Sequence, residues 1–547
     1  MLEFVAHRGP DAQGEYYFDN CAMVHARLSI IDLNTGAQPM LYQLPDDGGM
    51  LGITFNGEIY NYRELKNTFA LRLHTNSDTE VIPALYHVDE KNFCQHLIGM
   101  FAFALWDDTR QRLICARDRF GEKPFYYAIT EDNAFIFASE PQAIIQSGLI
   151  RPKLDLAAVS QFLSLRYVHG AHSIYADVRQ LEPGCILVWE KGHINISRYW
   201  ELPQPFENPP SFSEAVEELR LLTRQAVTRC LVADVEVGLL LSGGLDSTTI
   251  ASLASESAAL RAFSFGFTGK RDERAYAREA ARHYHLPYVE MTDQEMDPPY
   301  LLRKLPHVYG EPFADSSAPA TLSLCRNISA HVKVALTGDG ADELLGGYDY
   351  WYQPLLSQND GQRAASGSTH WQALTLFRNE DLQALGLPPL PEATPAGYGT
   401  LDDALRLDLR YFLPSDILKK TDRASMSNGL ELRAPFLDKD LASFLIALPP
   451  EYKVTLKTTK RLMRHAFAER WPQGVKTRPK QGFGFSISDW MERPDMLQLR
   501  RYYLAAPGRK IQSMFSGSIL ANVALDNGEK GWRFLLLAVW LEHMPWI

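Results

Sequence analysis

Ser242-Gly243-Gly244-Leu245-Asp246-Ser247 decides how most of this chain is read. It follows the apolar run Val237-Gly238-Leu239-Leu240-Leu241. It precedes Thr248–Ala254, where Ile250, Leu253 and Ala254 recur on one helical face. The order is strand, tight glycine-rich turn, helix start. Such a turn exposes backbone N–H groups, and the helix dipole favours an anion in front of them. The hydroxyls of Ser242 and Ser247 add donors. Asp246 is out of place beside phosphates unless a divalent cation bridges them. The stretch therefore reads as a site for pyrophosphate with a metal. It lacks the lysine of a G-x-x-x-x-G-K-[ST] loop, which argues against ordinary γ-phosphoryl transfer. The competing reading is a glycine-rich turn that only starts a helix.

Downstream of this turn, helices and strands alternate. Ser213–Cys230 has a helical pattern. Strand patterns fall at 235–241, Ala262–Phe267, near Pro287–Glu290 and at Val332–Leu336. This predicts a doubly wound parallel sheet. Beyond 400 the chain is mostly helical, and Phe534–Leu541 suits a buried C-terminal helix. Segment 356–400 has Ser, Gly, Pro and Gln clusters and predicts a mobile loop. Upstream, residues 1–200 read mainly as strands: Leu51–Phe55, Met100–Trp106, Leu113–Ala116 and Phe135–Ala138. Segment 201–212, with four prolines, is the linker candidate.

Composition narrows the function classes. The 547 residues are 46% hydrophobic and 22% charged, with ample length for two domains. The net charge of −11 argues against a general nucleic-acid binder. Six scattered cysteines form no Cys-x-x-Cys pair and no zinc spacing, so isolated buried thiols are expected. The first residues have no apolar core of a signal peptide, and no apolar run would span a bilayer. A cytoplasmic protein follows as the expectation.

The Ser242–Ser247 turn resembles the pyrophosphate loop of the ATP pyrophosphatases, which cleave ATP between the α and β phosphates. In the N-terminal part, His7–Asp11, Arg27–Asp32, Asn56–Asn61, Ser77–Glu80, Gly99–Asp107 and Ala116–Pro124 together resemble the glutaminase domain of class II amidotransferases. The chemistry suits free glutamine. Arg27 can fork its carboxylate, and Asp78 and Glu58 can take its ammonium. The Asn56 side chain and the Gly57 backbone N–H would form an oxyanion hole. The resemblance adds Leu28, Ser29, Ile30 and Ile31 to the glutamine-binding set. The bland alternatives are a type I′ hairpin turn for Asn56-Gly57 and a solvated surface pair for Arg27 and Asp78. The family's nucleophile, a cysteine directly after the initiator methionine, is absent, because the chain begins Met1-Leu2. Cys21 has no N-terminal amine and maps to a strand position. Either residues upstream of Met1 have been left out, which is the favoured expectation, or the glutaminase is inactive. As written, the chain is expected to use ammonia alone.

The C-terminal two-thirds resembles the asparagine synthetase family. The match includes Thr337–Tyr348 after the strand 332–336, Leu413–Met426, Glu431–Asp438, Lys457–Arg464 and Lys480–Gly484. Carried over, Asp246 and Asp342 hold Mg²⁺ on ATP, Leu240 and Phe265 border the adenine, and Thr337 and Gly338 approach the nucleotide with the turn residues Ser242, Gly243, Gly244 and Ser247. Asp339 takes the acid/base position, where some family members have Glu. Lys460 faces the pyrophosphate leaving group. Alone it would read as a solvated helix lysine. Arg423 and Arg433 are equally readable as substrate ligands or structural ion-pair partners.

The resemblance implies residues 1–200 as a glutaminase domain, an α+β four-layer sandwich of the N-terminal-nucleophile type. The linker 201–212 and a synthetase domain 213–547 would follow, the latter an α/β doubly wound parallel sheet of the adenine nucleotide α-hydrolase type with a helical C-terminal part. It implies ATP and Mg²⁺, aspartate, and glutamine or ammonia as small-molecule partners, with no nucleic acid or membrane, and it admits a homodimer. The reaction implied is aspartate to β-aspartyl-AMP and pyrophosphate, then to asparagine and AMP. The competing expectations are amidation of another acid, such as a sugar acid, β-lactam-type ring closure, a catalytically inactive homologue, and a tRNA-modifying ATP pyrophosphatase, which the acidic charge and unpaired cysteines disfavour.

Overall fold

The computed structural model of the chain describes residues 1–46, 48–267, 272–292, 296–356, 366–390, 400–478 and 483–544. The first eleven strands in chain order are β1 (Ala12–Tyr17), β2 (Ala22–Arg27), β3 (Met40–Gln43), β4 (Met50–Ile59), β5 (Gly99–Asp107), β6 (Arg112–Arg117), β7 (Tyr126–Ile129), β8 (Phe135–Ala138), β9 (Val178–Gln180), β10 (Cys185–Glu190) and β11 (His193–Arg198). They make a β1–β2 hairpin, an antiparallel six-stranded sheet ordered β11-β10-β6-β5-β4-β3, and an antiparallel three-stranded sheet ordered β8-β7-β9.

Side chains alternate across a strand, and β5 is buried from Met100 on, so both faces of the central sheet need cover. Phe101, Phe103 and Leu105 pack with residues of the helices Tyr62–Thr68 and Val81–Val88. On the other face, Ala102, Ala104 and Trp106 meet Phe125 and Tyr127 of the three-stranded layer. Tyr126, Ala128 and Ile136 then pack with Ile144, Val159 and Phe162 from two further helices. Helices, sheet, sheet and helices stack in that order. Cys21 sits in the β1–β2 turn, where Phe18 N donates to its carbonyl at 2.8 Å, and not on a strand. All six cysteines are free thiols, and five are buried.

The second half holds a parallel sheet of β12 (Val237–Leu240), β13 (Arg261–Gly266), β14 (Tyr288–Thr292), β15 (Val334–Leu336) and β16 (Glu431–Arg433), ordered β14-β13-β12-β15-β16. Strand order reverses at β12, so the crevice beyond the carboxyl ends of β12 and β15 is where a ligand is expected in such sheets. The sequence-predicted strands overlap β12 to β15. In sequence β16 reads only as a site motif, because its Glu and Arg look like surface residues, yet all three of its residues are buried.

The helix Leu245–Ala254 also departs from its one-faced pattern, because every residue from Ser247 to Ala254 is buried. Some of its polar side chains are satisfied internally, although the buried Thr248 hydroxyl has no hydrogen-bond partner among the described residues. Thr249 donates to Leu245 O at 2.7 Å and accepts from Trp471 Nε1 at 2.9 Å. Glu529–His543 is the buried C-terminal helix. Much of segment 356–400 lies outside the described residues; the rest includes helices at Ser366–Leu374 and Asn379–Ala384. No helix among the described residues is long and apolar enough to cross a membrane.

Candidate active site

A cavity of about 720 Å³ opens at the carboxyl ends of β12 and β15. Leu240, Ser242, Gly244, Asp246, Ser247, Phe265, Thr337, Gly338, Asp339, Asp342 and Lys460 all line it. Gly243 does not. It turns the chain at φ +70°, and a Cβ there would sit 2.5 Å from Ala277 N, so it serves the turn and its packing. The hydroxyls of Ser242 and Ser247 lie 3.1 Å apart, and each also bonds the loop backbone. They knit the turn as well as facing the cavity. A Cβ on Gly338 would press on Asp246 Cβ at 3.0 Å, so its bare backbone brings the two loops together.

Lys460 is not a solvated helix lysine. It caps the helix Arg461–Phe467 at φ +52° and is buried. Its Nζ lies 2.5 Å from Asp246 Oδ1 and 2.5 Å from Asp342 Oδ1. Two carboxylates brought to one cationic nitrogen are a donor pair of the hard type that Mg²⁺ takes. No group of three or more His, Cys, Asp or Glu with metal-site geometry occurs among the described residues. Bound Mg²⁺ would therefore need phosphate or water oxygens besides these two.

Asp339 Oδ2 accepts from Thr337 Oγ1 at 3.0 Å. Burial pushes its carboxyl above the ordinary range, opposed by the charge of Lys420. Lys420 also lines the cavity and pairs with Asp315 at 3.5 Å. Asp416 is paired with Arg166 at 2.7 Å, yet burial raises its carboxyl to about 7. Glu343 accepts from Tyr348 OH at 2.7 Å, and burial with neighbouring Asp342 raises it to about 8. Nothing in the sequence alone assigns a role to Lys420, Arg166 or Glu343. Lys420 lies inside a matched motif, but nothing local tells which of Lys419 and Lys420 turns toward the cavity.

A second cavity, of about 370 Å³, lies in the N-terminal half. Arg27, Leu28, Ile30, Ile31, Asn56, Gly57, Glu58 and Asp78 line it. Ser29 does not: its N–H donates to Asp11 Oδ2 at 2.7 Å, and Asp11 pairs with Lys333. Asn56-Gly57 is no hairpin turn. It lies inside β4, and a Cβ on Gly57 would collide with the carbonyl of Met100 on β5. Arg27 and Asp78 are buried and not a surface pair. Arg27 Nη2 donates to the carbonyls of Asp32 (2.7 Å) and Ile31 (3.2 Å), so a two-armed grip through Nη2 requires one of those bonds to break. Asp78 Oδ2 accepts from Ile59 N at 2.9 Å. Burial raises both carboxyls, Glu58 well above its ordinary value and Asp78 to about 6. Among the described residues, no cysteine lines this cavity.

One wall separates the cavities. On the helix Leu418–Met426, Lys420 and Thr421 face the first cavity and Met426 the second. On β16, Leu432 faces the first and Glu431 the second. Arg8 forks Asp422 through two 2.9 Å bonds. Arg423 pairs with Glu140 at 2.9 Å and covers the Tyr126 ring. Arg433 pairs with Glu431 at 2.8 Å. Both arginines are thus buried ion-pair residues of the wall. Of the motif Lys480–Gly484, residues 480–482 lie outside the described residues.

Residues 218–542 match the family model for asparagine synthase, and residues 1–200 match that for a glutamine amidotransferase domain. The chain is 30% identical to asparagine synthetase [glutamine-hydrolyzing] 1 of Bacillus subtilis strain 168, over 99% of this chain and 92% of that protein. Asparagine synthetase [glutamine-hydrolyzing] 3 of the same organism is also 30% identical, over 90% and 86%. The amidase chry2 of Gibberella zeae is 33% identical over 66% of this chain and 56% of that protein.

Proposed function

We propose that this chain, which belongs to the asparagine synthase family, is an ATP-dependent ligase that amidates aspartate to asparagine, with glutamine as the nitrogen donor it is shaped to bind. The observation that carries the reading is the convergence of Asp246, Asp342 and Lys460 at the carboxyl ends of the parallel strands.

A carboxylate is a poor electrophile at neutral pH, so the acid must first be activated. Its oxygen attacks the α-phosphorus of ATP, the α–β phosphoanhydride bond breaks, and pyrophosphate leaves. Lys460 balances the charge that gathers on that leaving group. Asp246 and Asp342 would hold Mg²⁺, which when bound supplies further phosphate neutralisation. Ammonia then attacks the acyl carbon, the acyl–oxygen bond breaks, and AMP leaves. The proton shed by the nitrogen goes to a base, and Asp339 is the carboxylate that the family position assigns. The burial of Asp339 supports this, because a raised carboxyl is a stronger proton acceptor. The common wall of Leu418–Met426 and β16 supports passage of ammonia between the cavities without release to solvent.

A second reading keeps this chemistry and changes the acid. Tyr348, Tyr350, Trp351 and Phe412 form an aromatic wall of the first cavity, which suits an acceptor bulkier than aspartate. The test is pyrophosphate release from ATP and Mg²⁺ with ammonia, across a panel of carboxylic acids. Ammonia is supplied because no cysteine among the described residues lines the second cavity. Release dependent on aspartate is expected. Release with another acid alone selects the second reading, and none with any acid refutes both.

A further inference from the structure

Arg433 lines neither cavity but is in contact with residues that line each of them. Its side chain lies behind two residues that line the second cavity, Glu431 and Glu58: Nε donates to Glu431 at 2.8 Å, Nη1 donates to the carbonyls of Cys230 (2.9 Å) and Val232 (2.7 Å), and Nη2 stands 3.4 Å from Glu58 Oε1. Its main-chain carbonyl holds Thr337, which lines the first cavity. It accepts from Thr337 N at 2.9 Å, and Thr337 Oγ1 donates to Asp339 Oδ2 at 3.0 Å.

The Glu58–Arg433 contact is half made. Arg433 is 0% exposed and Glu58 4%; Nη2 has no hydrogen-bond partner among the described residues, and the Glu58 carboxyl is shared with the carboxyl of Asp78. A buried polar network in this condition is costly and gains from completion. The rest of the guanidinium is held by three bonds, so Nη2 is the arm that responds to what Glu58 does. Glu58 also lines the cavity with Asp78.

We propose that Arg433 is a positioning residue that couples occupancy of the second cavity to the seating of Asp339 in the first. The inference rests on the reading that the second cavity takes glutamine. An ammonium arriving at Glu58 competes with Nη2 for that carboxylate. Arg433 then keeps its Nε bond to Glu431 and loses the Nη2 contact with Glu58, which changes how its own strand is held. Because β16 is hydrogen-bonded beside β15, a shift of the Arg433 main chain is passed to Thr337 and on to Asp339. Packed cores move between discrete arrangements and do not deform freely. Such coupling is reciprocal, so nucleotide in the first cavity must change glutamine affinity by the factor that glutamine changes nucleotide affinity.

The experiment uses the full chain and its Arg433→Lys variant, which keeps the charge and loses the fork. Calorimetry measures glutamine binding with and without ATP and Mg²⁺, and hydrogen exchange follows the Thr337 amide on adding glutamine. The expected result is a glutamine Kd that changes about fivefold or more with nucleotide, a changed Thr337 exchange rate, and loss of both in Arg433→Lys. A purely structural arginine would leave the Kd ratio and the exchange rate unmoved. If wild type binds glutamine equally with and without nucleotide, and Thr337 exchange does not change, the inference is overturned whatever the variant does. If the variant folds and keeps the coupling, Arg433 is not its carrier. If wild type binds no glutamine, the reading of the second cavity fails and takes the inference with it.

Discussion

Lys460, which is buried, and Asp342, which is half-buried, form an ion pair, with Nζ 2.5 Å from Oδ1, built against the bare backbone of Gly347. A Cβ at 347 would overlap both Asp342 Oδ1 and Lys460 Cε. Gly347→Ala should therefore disturb the pair before it disturbs the fold. Overpacking of this kind costs roughly 1–3 kcal/mol. The expected outcome is a fall in pyrophosphate release of about tenfold or more with only a modest drop in melting temperature. An unchanged rate would show that the pair has no part in the reaction.

Asp246 stands on the other side of the same lysine nitrogen. Asp246→Asn removes one of the two converging carboxylates and leaves its shape. Pyrophosphate release should drop by about 100-fold or more, the scale seen when a key electrostatic group is lost. The apparent Mg²⁺ requirement should rise in parallel. A variant that releases pyrophosphate at the wild-type rate would remove Asp246 from the metal role.

Glu343 offers a stability test. Folding raises its carboxyl from 4.5 to about 8, chiefly through burial and then through Asp342. The native state therefore keeps a proton that the unfolded chain releases between those values. Linkage makes this contribution to stability fall as pH rises from about 4.5 to about 8, by up to roughly 1.4 kcal/mol for each pH unit. Glu343→Gln can still accept from Tyr348 OH and cannot ionise. Urea midpoints at pH 5 and pH 8.5, without nucleotide or metal, should diverge in favour of the variant at the higher pH. Parallel profiles would contradict the raised carboxyl.

Asp422 is fully enclosed and forked by Arg8, with Lys123 3.8 Å away. Removing Asp422 leaves Arg8 with only its 3.1 Å bond to Glu140, and loss of a buried ion-pair partner costs up to about 3–5 kcal/mol. Asp422→Ala should lower stability by that amount in denaturant titration. It should also loosen the wall between the cavities, so that ammonia-dependent synthesis survives better than any synthesis that relies on transfer between them. A loss under about 1 kcal/mol would mean that Glu140 alone balances Arg8.

Much of the molecule was legible because the signals are local. The apolar run before Ser242, the glycine turn and the helix after it are contiguous, and so are the runs that became β4, β5, β6 and β8. Where reading failed, the deciding partner lay far along the chain. β16 carries Glu431 and Arg433, which look like solvent residues until Glu58, Cys230 and Val232 are brought to them. Ser29 sits in a motif with cavity-lining neighbours, but Asp11 draws it aside. The helix after the glycine turn shows an apolar face in sequence, yet it is covered all round.

By itself the sequence determined the order of elements, the two families of motif and the chemistry that each can do, because period, turn residues and motif spacing are properties of the local chain. Only the tertiary structure decided what the charges do. It drew Lys460 between Asp246 and Asp342, gave Arg423 and Arg433 to buried ion pairs, and made one helix and one strand the wall of both cavities. The physical reason is that a charged side chain reads the same in sequence whether water or a distant carboxylate balances it. Burial alone forces that partner to be found within the protein.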